Sequence, residues 1–97
     1  LTKSLANELG QYGIRVNNVC PGFTMTERLK EVFDNAAKQR GLSIDKVTGE
    51  IESQVPLKRT AKPQEIADLV VYLCSDRASY ITGTSIQVDG GYIKGLF

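Results

Sequence analysis

Two short β-forming runs, residues 14–19 (IRVNNV) and 84–89 (TSIQVD), lie far apart with only helical patterns between them. A hairpin needs a tight loop, whereas parallel strands need a long crossover, commonly helical. Strands divided by helices therefore predict a parallel pair joined by a right-handed crossover, in a sheet of α/β class. The first run feeds into Pro21-Gly22. Proline cannot donate to a ladder and glycine permits unusual backbone angles, so the strand is expected to stop there. A loop with two threonines comes next, and then an amphipathic helix. In open α/β sheets, ligands collect just beyond the carboxyl ends of the strands.

The helical patterns set the remaining elements. Leu1, Leu5 and Leu9, with Ala6 beside them, predict a helix over residues 1–12. It has no capping residue before Leu1, as though the chain began inside an element, and Gly13 supplies a left-handed stop. Leu29, Val32, Phe33, Ala36 and Ala37 predict an apolar helical face in residues 26–41, closed by Gly41. A weaker pattern, Ile44, Val47 and Ile51, spans residues 43–53 across Gly49, and residues 55–63 read as a loop. Pro63 suits a first helical position and opens a helix with Ile66, Leu69, Val70, Leu73 and Cys74 as its buried stripe. Residues 75–83 are rich in turn formers, and Gly90-Gly91 closes the second strand. The tail YIKGLF is apolar enough to dock. A strand like residues 14–19 suits burial on both faces, and a lone strand pair is marginal in water. The 97-residue chain is therefore not expected to fold stably by itself.

Composition removes several function classes. The 12 basic residues nearly balance the 11 acidic ones and are scattered, unlike the clustered charge of a nucleic-acid footprint. The sequence has no histidine, which removes Ser-His-Asp and Cys-His catalysis and most transition-metal sites. Cys20 and Cys74 are too few for a disulfide framework or zinc site and read as reduced core thiols. No apolar run has the length of a membrane span. A cytoplasmic protein is expected, bound to neither nucleic acid nor membrane.

Within the loop, Thr24-x-x-Glu27 fits a capping box, which explains one threonine but neither Pro21-Gly22 nor Thr26. The open N–H groups and positive end of a helix start also suit a cofactor amide or phosphate. Tyr12, Tyr72, Tyr80 and Tyr92 lack a lysine four residues on, so each reads as packing or interface. Asp89-Gly90-Gly91 reads as a strand-ending turn, and Lys58-Arg59 near Lys62 as a solvated basic loop.

The strings LTKSLANELGQYGIRVNNVCPGFTMT and VPLKRTAKPQEIADLVVYLCSDRASYITGTSIQVDGGY strongly resemble the short-chain dehydrogenase/reductase family. The resemblance covers nearly all of the chain and is weakest over residues 28–54. It is to the carboxyl-terminal part, from the helix after the catalytic Tyr-x-x-x-Lys to the last strand. By family spacing, Leu1 falls roughly two helical turns past that lysine. The implied fold is the end of one Rossmann-type doubly wound parallel sheet, its last two strands and their helices, with residues 1–97 forming part of a single domain.

The resemblance implies a role for the Pro-Gly loop: it lies along the nicotinamide of NAD or NADP. Pro21 and Gly22 shape the turn, the backbone at Thr24 faces the carboxamide, and the Thr26 hydroxyl bonds the carboxamide or a phosphate. Residues 28–54 match the segment covering an alcohol or carbonyl substrate. The last helix and strand match a homo-oligomer interface. Lys58 and Ala61 depart from the family, which often has glycine there. The phosphate-binding glycine loop, the Asn-Ala-Gly strand, the catalytic Ser and the Tyr-x-x-x-Lys pair are absent from the sequence. The expectation is an NAD(P)-dependent oxidoreductase whose amino-terminal part partners this chain; the chain alone carries no catalytic residue, no metal site and no activity. The rival is a non-catalytic interaction module formed by a truncated product.

Overall fold

A computed structural model describes residues 1–94; residues 95–97, the end of the apolar tail, lie outside the described residues. The order of elements is α1 (Thr2–Leu9), β1 (Asn18–Pro21), α2 (Glu27–Arg40), α3 (Ile44–Ser53), α4 (Pro63–Cys74) and β2 (Ser85–Val88), with short 3-10 turns at Gly10–Tyr12 and Asp76–Ala78. The chain divides into two compact units, one of Leu1–Pro21 with Gln64–Val88, the other of Gly22–Pro63 with the chain from Asp89 onward.

The first unit holds the sheet. β1 and β2 pair in parallel, Asn18 opposite Ser85 and Pro21 opposite Val88, which bears out the α/β reading. The first strand is displaced from its expected place at residues 14–19. Residues 14–17 spend their hydrogen bonds outside a ladder: the Val16 N–H donates to Thr82 Oγ1 at 3.0 Å, and the Val16 carbonyl accepts from Gly83 N–H at 2.8 Å. Asn17 Nδ2 donates to the Ile81 carbonyl, and its Oδ1 accepts from the Thr84 hydroxyl at 2.7 Å. Regular pairing begins only at Asn18, whose N–H donates to the Thr84 carbonyl at 2.8 Å. Pro21 is tolerated as the last strand residue, where a missing donor is least felt. α1 ends earlier than expected, its last turn tightening into the 3-10 turn before Gly13 takes the left-handed stop at φ 74°.

Pro63 is the first residue of α4, as its missing N–H predicts. The Arg15 guanidinium caps the other end, donating to the Leu73 carbonyl at 2.7 Å and the Ser75 carbonyl at 3.2 Å. The expected buried stripe is only partly buried. Leu73 is buried, Ile66 and Leu69 are half-buried, and Val70 and Cys74 are exposed. Val70, Leu73 and Cys74 face an open cavity of about 320 Å³, also lined by Arg15, Asn17 and Val19, rather than packed atoms. Cys74 is therefore no core thiol, whereas Cys20 is half-buried.

The second unit is built around Phe33, Ala37 and Val47, with Met25, Leu29, Ala36, Leu42 and Ile51 packed against them. The helical spacing thus predicted the face, except that Val32 and Ile44 lie outside it and are exposed. Ser43 caps α3, its hydroxyl accepting from Lys46 N–H, and Gly41 ends α2 at φ 67°. Arg40 grips Glu50 with two hydrogen bonds of 2.7 and 3.1 Å, tying the end of α2 to α3. Those bonds hold the Glu50 carboxyl below its ordinary range.

The turn after α3 contains a strained residue. Lys58 has φ 61°, the only positive value at a non-glycine residue among those described. A side chain in this conformation costs about 1–2 kcal/mol, against which glycine's extra freedom in the unfolded chain costs about 0.5–1 kcal/mol. The Lys58 N–H bond to the Val55 carbonyl survives substitution, whereas the Nζ bond to the Ser53 carbonyl does not. Lys58→Gly is expected to stabilise the protein by about 0.5 kcal/mol. A lower thermal midpoint would show that the Nζ bond outweighs the backbone strain.

Candidate cofactor-binding loop

The loop after β1 is fixed by a contact that leaves no room for a side chain. A Cβ on Gly22 would lie 2.7 Å from Asp89 Cβ and 2.8 Å from its Cα. Gly22 is not among the glycines with positive φ, so the reason for glycine here is close approach and not an unusual angle. On the far side of the turn, the Asp89 carboxylate is engaged within its own segment. Oδ1 accepts from Gly91 N–H at 3.0 Å and Oδ2 from Ile93 N–H at 3.1 Å. With Gly90 at φ 63° and Gly91 at φ 88°, this is the strand-ending turn that Asp-Gly-Gly predicts.

The loop is also stitched to the segment before α4. Ala61 N–H donates to the Phe23 carbonyl at 2.8 Å, and Met25 N–H donates to the Ala61 carbonyl at 2.9 Å, a parallel bridge centred on Thr24 and Ala61. The Phe23 ring meets the Tyr92 ring edge to face, centroids 5.1 Å apart and planes at 77°.

The two threonines divide their work differently from the capping-box expectation. Thr24 Oγ1 donates to the Gly22 carbonyl at 3.1 Å, closing the loop on itself. Thr26 is the residue that caps α2, its hydroxyl oxygen accepting from Leu29 N–H at 3.2 Å. Glu27 is the first residue of the helix and pairs with Lys30 at 3.4 Å. The sequence pattern offered Thr24 as the cap, and the backbone path gives that place to Thr26 instead.

These bonds leave a defined set of groups open. Among the described residues, the Phe23 and Thr24 N–H groups donate to nothing, and the Thr26 hydroxyl proton has no acceptor. A carboxamide oxygen or a phosphate oxygen is the kind of acceptor such donors suit. Gly22, Thr24 and Thr26 thus share one loop, while Pro21 is the exposed last residue of β1. Sequence reasoning missed Asp89 as the neighbour of Gly22 and Tyr92 as the partner of Phe23. The one available signal was a second glycine-flanked aromatic segment after the last strand.

The other candidates take the positions their surroundings dictate. Tyr72 is partly exposed, with its hydroxyl 3.4 Å from the Arg77 carbonyl, and Tyr12 and Tyr80 are exposed. Among the described residues, no group of three or more His, Cys, Asp and Glu side chains is placed to hold a metal ion. No helix among them is long and apolar enough to cross a membrane.

The family model described as enoyl-(acyl carrier protein) reductase matches residues 1–93. The chain is 42% identical over 91 residues to the oxidoreductase UcpA of Escherichia coli O157:H7, covering 94% of this chain and 34% of that protein. It is 37% identical over 95 residues to the NADPH-dependent reductase BacG of Bacillus subtilis (strain 168), covering 98% and 37%. A short chain dehydrogenase family protein of Francisella tularensis superposes with a TM-score of 0.91 at 46% identity, over 94% of this chain and 38% of that one. L-sorbose reductase of Gluconobacter frateurii, solved with NADPH and L-sorbose, superposes with a TM-score of 0.90 at 35% identity, over 98% and 36%. The chain therefore spans little more than a third of the length of these relatives.

Because the approach of Gly22 to Asp89 involves backbone atoms, a methyl group there cannot be absorbed by a rotamer change. Gly22→Ala is expected to destabilise the protein by about 1–3 kcal/mol, the usual range for overpacking. Chemical denaturation measures this directly. An unchanged midpoint would mean that the turn after β2 yields freely.

Proposed function

We propose, from the fact that the chain belongs to the short-chain dehydrogenase/reductase family, that it forms the nicotinamide-side wall and substrate cover of an NAD(P)-dependent oxidoreductase. The observation that carries this reading is the loop after β1. Its backbone is restrained by the Gly22 contact and the Ala61 bridge, yet the Thr24 N–H remains open. A donor held still before ligand arrives loses little entropy on binding, which favours orientation of a carboxamide. The relatives named as NADPH-dependent, and the reductase solved with NADPH, support a nicotinamide cofactor.

Bound NAD(P) supplies the hydride-transfer chemistry between an alcohol and a carbonyl compound. The residues of this chain bind and orient. Pro21 and Gly22 shape the turn, Thr24 N–H aims at the carboxamide oxygen, and the Thr26 hydroxyl donates to the carboxamide or a phosphate. Residues 28–54, which hold all of α2 but its first residue and the whole of α3, cover the substrate. The sequence holds no Tyr-x-x-x-Lys pair to move the proton, so the chain works with the amino-terminal part of the same enzyme in the cytoplasm and by itself turns over nothing. The partly exposed Val70 and Tyr72 and the largely exposed Val71 on α4 support a homo-oligomer interface at the last helix and strand. The same exposed face favours a second reading, a non-catalytic interaction module. NADH and NADPH titrations separate the two, because only the first reading requires cofactor binding.

Thr26 tests the loop. In the natural polypeptide carrying these residues, Thr26→Val should lose the α2 cap and weaken NAD(P)H binding by about 1 kcal/mol, one net hydrogen bond. Thr26→Ser should restore both properties. Thr26→Asp keeps a capping oxygen but no hydroxyl donor, so stability should return while affinity stays low. Wild-type affinity in Thr26→Val would confine Thr26 to starting α2.

The cover is tested by hydrogen exchange. Protection across residues 28–54 is expected to rise when cofactor and substrate are both bound, because a substrate cover orders on closure. Equal protection in the free and ternary states would remove the covering role.

A further inference from the structure

We infer that Tyr92 is a positioning residue for cofactor binding, acting through Phe23 on the loop after β1. This rests on the reading of that loop as the nicotinamide-side wall. The peptide between Phe23 and Thr24 carries both the open Thr24 N–H and a carbonyl that accepts from Ala61 N–H. That hydrogen bond fixes one edge of the peptide plane. The remaining freedom is rotation about the Phe23 Cα, and the Phe23 ring opposes it by packing on Tyr92.

Tyr92 can act as a stop because its own segment is held on several sides. Its N–H donates to the Asp89 carbonyl at 3.1 Å, and the two Asp89 carboxylate oxygens take the N–H groups of Gly91 and Ile93. The Gly90 carbonyl accepts from Leu57 N–H at 3.1 Å. A Cβ on Gly90 would meet Val55 at 2.8 Å, and one on Gly91 would meet Pro56 at 3.0 Å, so the turn fits closely against residues 55–57. The Tyr92 hydroxyl makes no hydrogen bond among the described residues, which leaves the ring as its contribution. Two aromatic rings in this edge-to-face arrangement attract beyond their area of contact. Tyr92 therefore sets the aim of the Thr24 N–H without a bond to it.

The test uses the natural polypeptide that carries these residues, titrated with reduced nicotinamide cofactor and with ADP-ribose, which lacks the nicotinamide ring. Tyr92→Ala is expected to raise the Kd of the preferred cofactor about fivefold, the scale of one aromatic pair, and to leave that of ADP-ribose unchanged. Tyr92→Phe keeps the ring and should restore wild-type affinity. If Tyr92→Ala does not fold, Tyr92→Leu, which fills the space without an aromatic edge, carries the same readings. Equal loss for cofactor and ADP-ribose, or no loss for either, overturns the inference alone. A wild-type protein that binds ADP-ribose and reduced cofactor equally, or neither, overturns the nicotinamide-wall reading and this inference with it.

Discussion

The approach of Gly22 to Asp89 is the contact on which the candidate site depends. Backbone meets backbone there at a distance that excludes even a methyl group. Each residue directly follows the end of a strand, and those ends, Pro21 and Val88, are register partners. Glycine at position 22 lets the two turns close on each other. A residue with a side chain at position 22 would force the turns apart and release the loop that carries Thr24 and Thr26.

From that contact the loop gains a second and a third restraint. The Ala61 bridge engages the Phe23 carbonyl and Met25 N–H, and the Phe23 ring rests on Tyr92. Thr24 spends its hydroxyl inside the loop and Thr26 spends its oxygen on the start of α2. The donors that remain open are few and fixed, which is the condition for orienting a planar amide at small entropic cost. Helix capping and ligand binding are compatible at Thr26, because a hydroxyl accepts through its lone pairs and donates through its proton.

The strain at Lys58 belongs to the same neighbourhood. The family resemblance places glycine near this position, and the backbone adopts the left-handed conformation that glycine tolerates best. Lysine holds the turn at some cost, its ammonium reaching back to the Ser53 carbonyl at 2.6 Å.

The sequence by itself determined the features whose physical cause is local. Helical period located α1 through α4, Pro63 marked a helix start, Gly13 and Gly41 marked helix ends, and Gly90-Gly91 marked a turn. Strands separated by helices implied parallel pairing, and the motifs around Pro21-Gly22 implied the family. Tertiary structure decided what depends on residues distant in the chain. It moved β1 from residues 14–19 to Asn18–Pro21, because Ile81 and the residues after it take the hydrogen bonds of Val16 and Asn17. It chose Thr26 over Thr24 as the cap, exposed Val70 and Cys74 beside an open cavity, and gave Gly22 its reason in Asp89. Periodicity and turn chemistry act over a few neighbouring residues and can be read in order. Close approach, edge-to-face rings and burial exist only once distant segments meet.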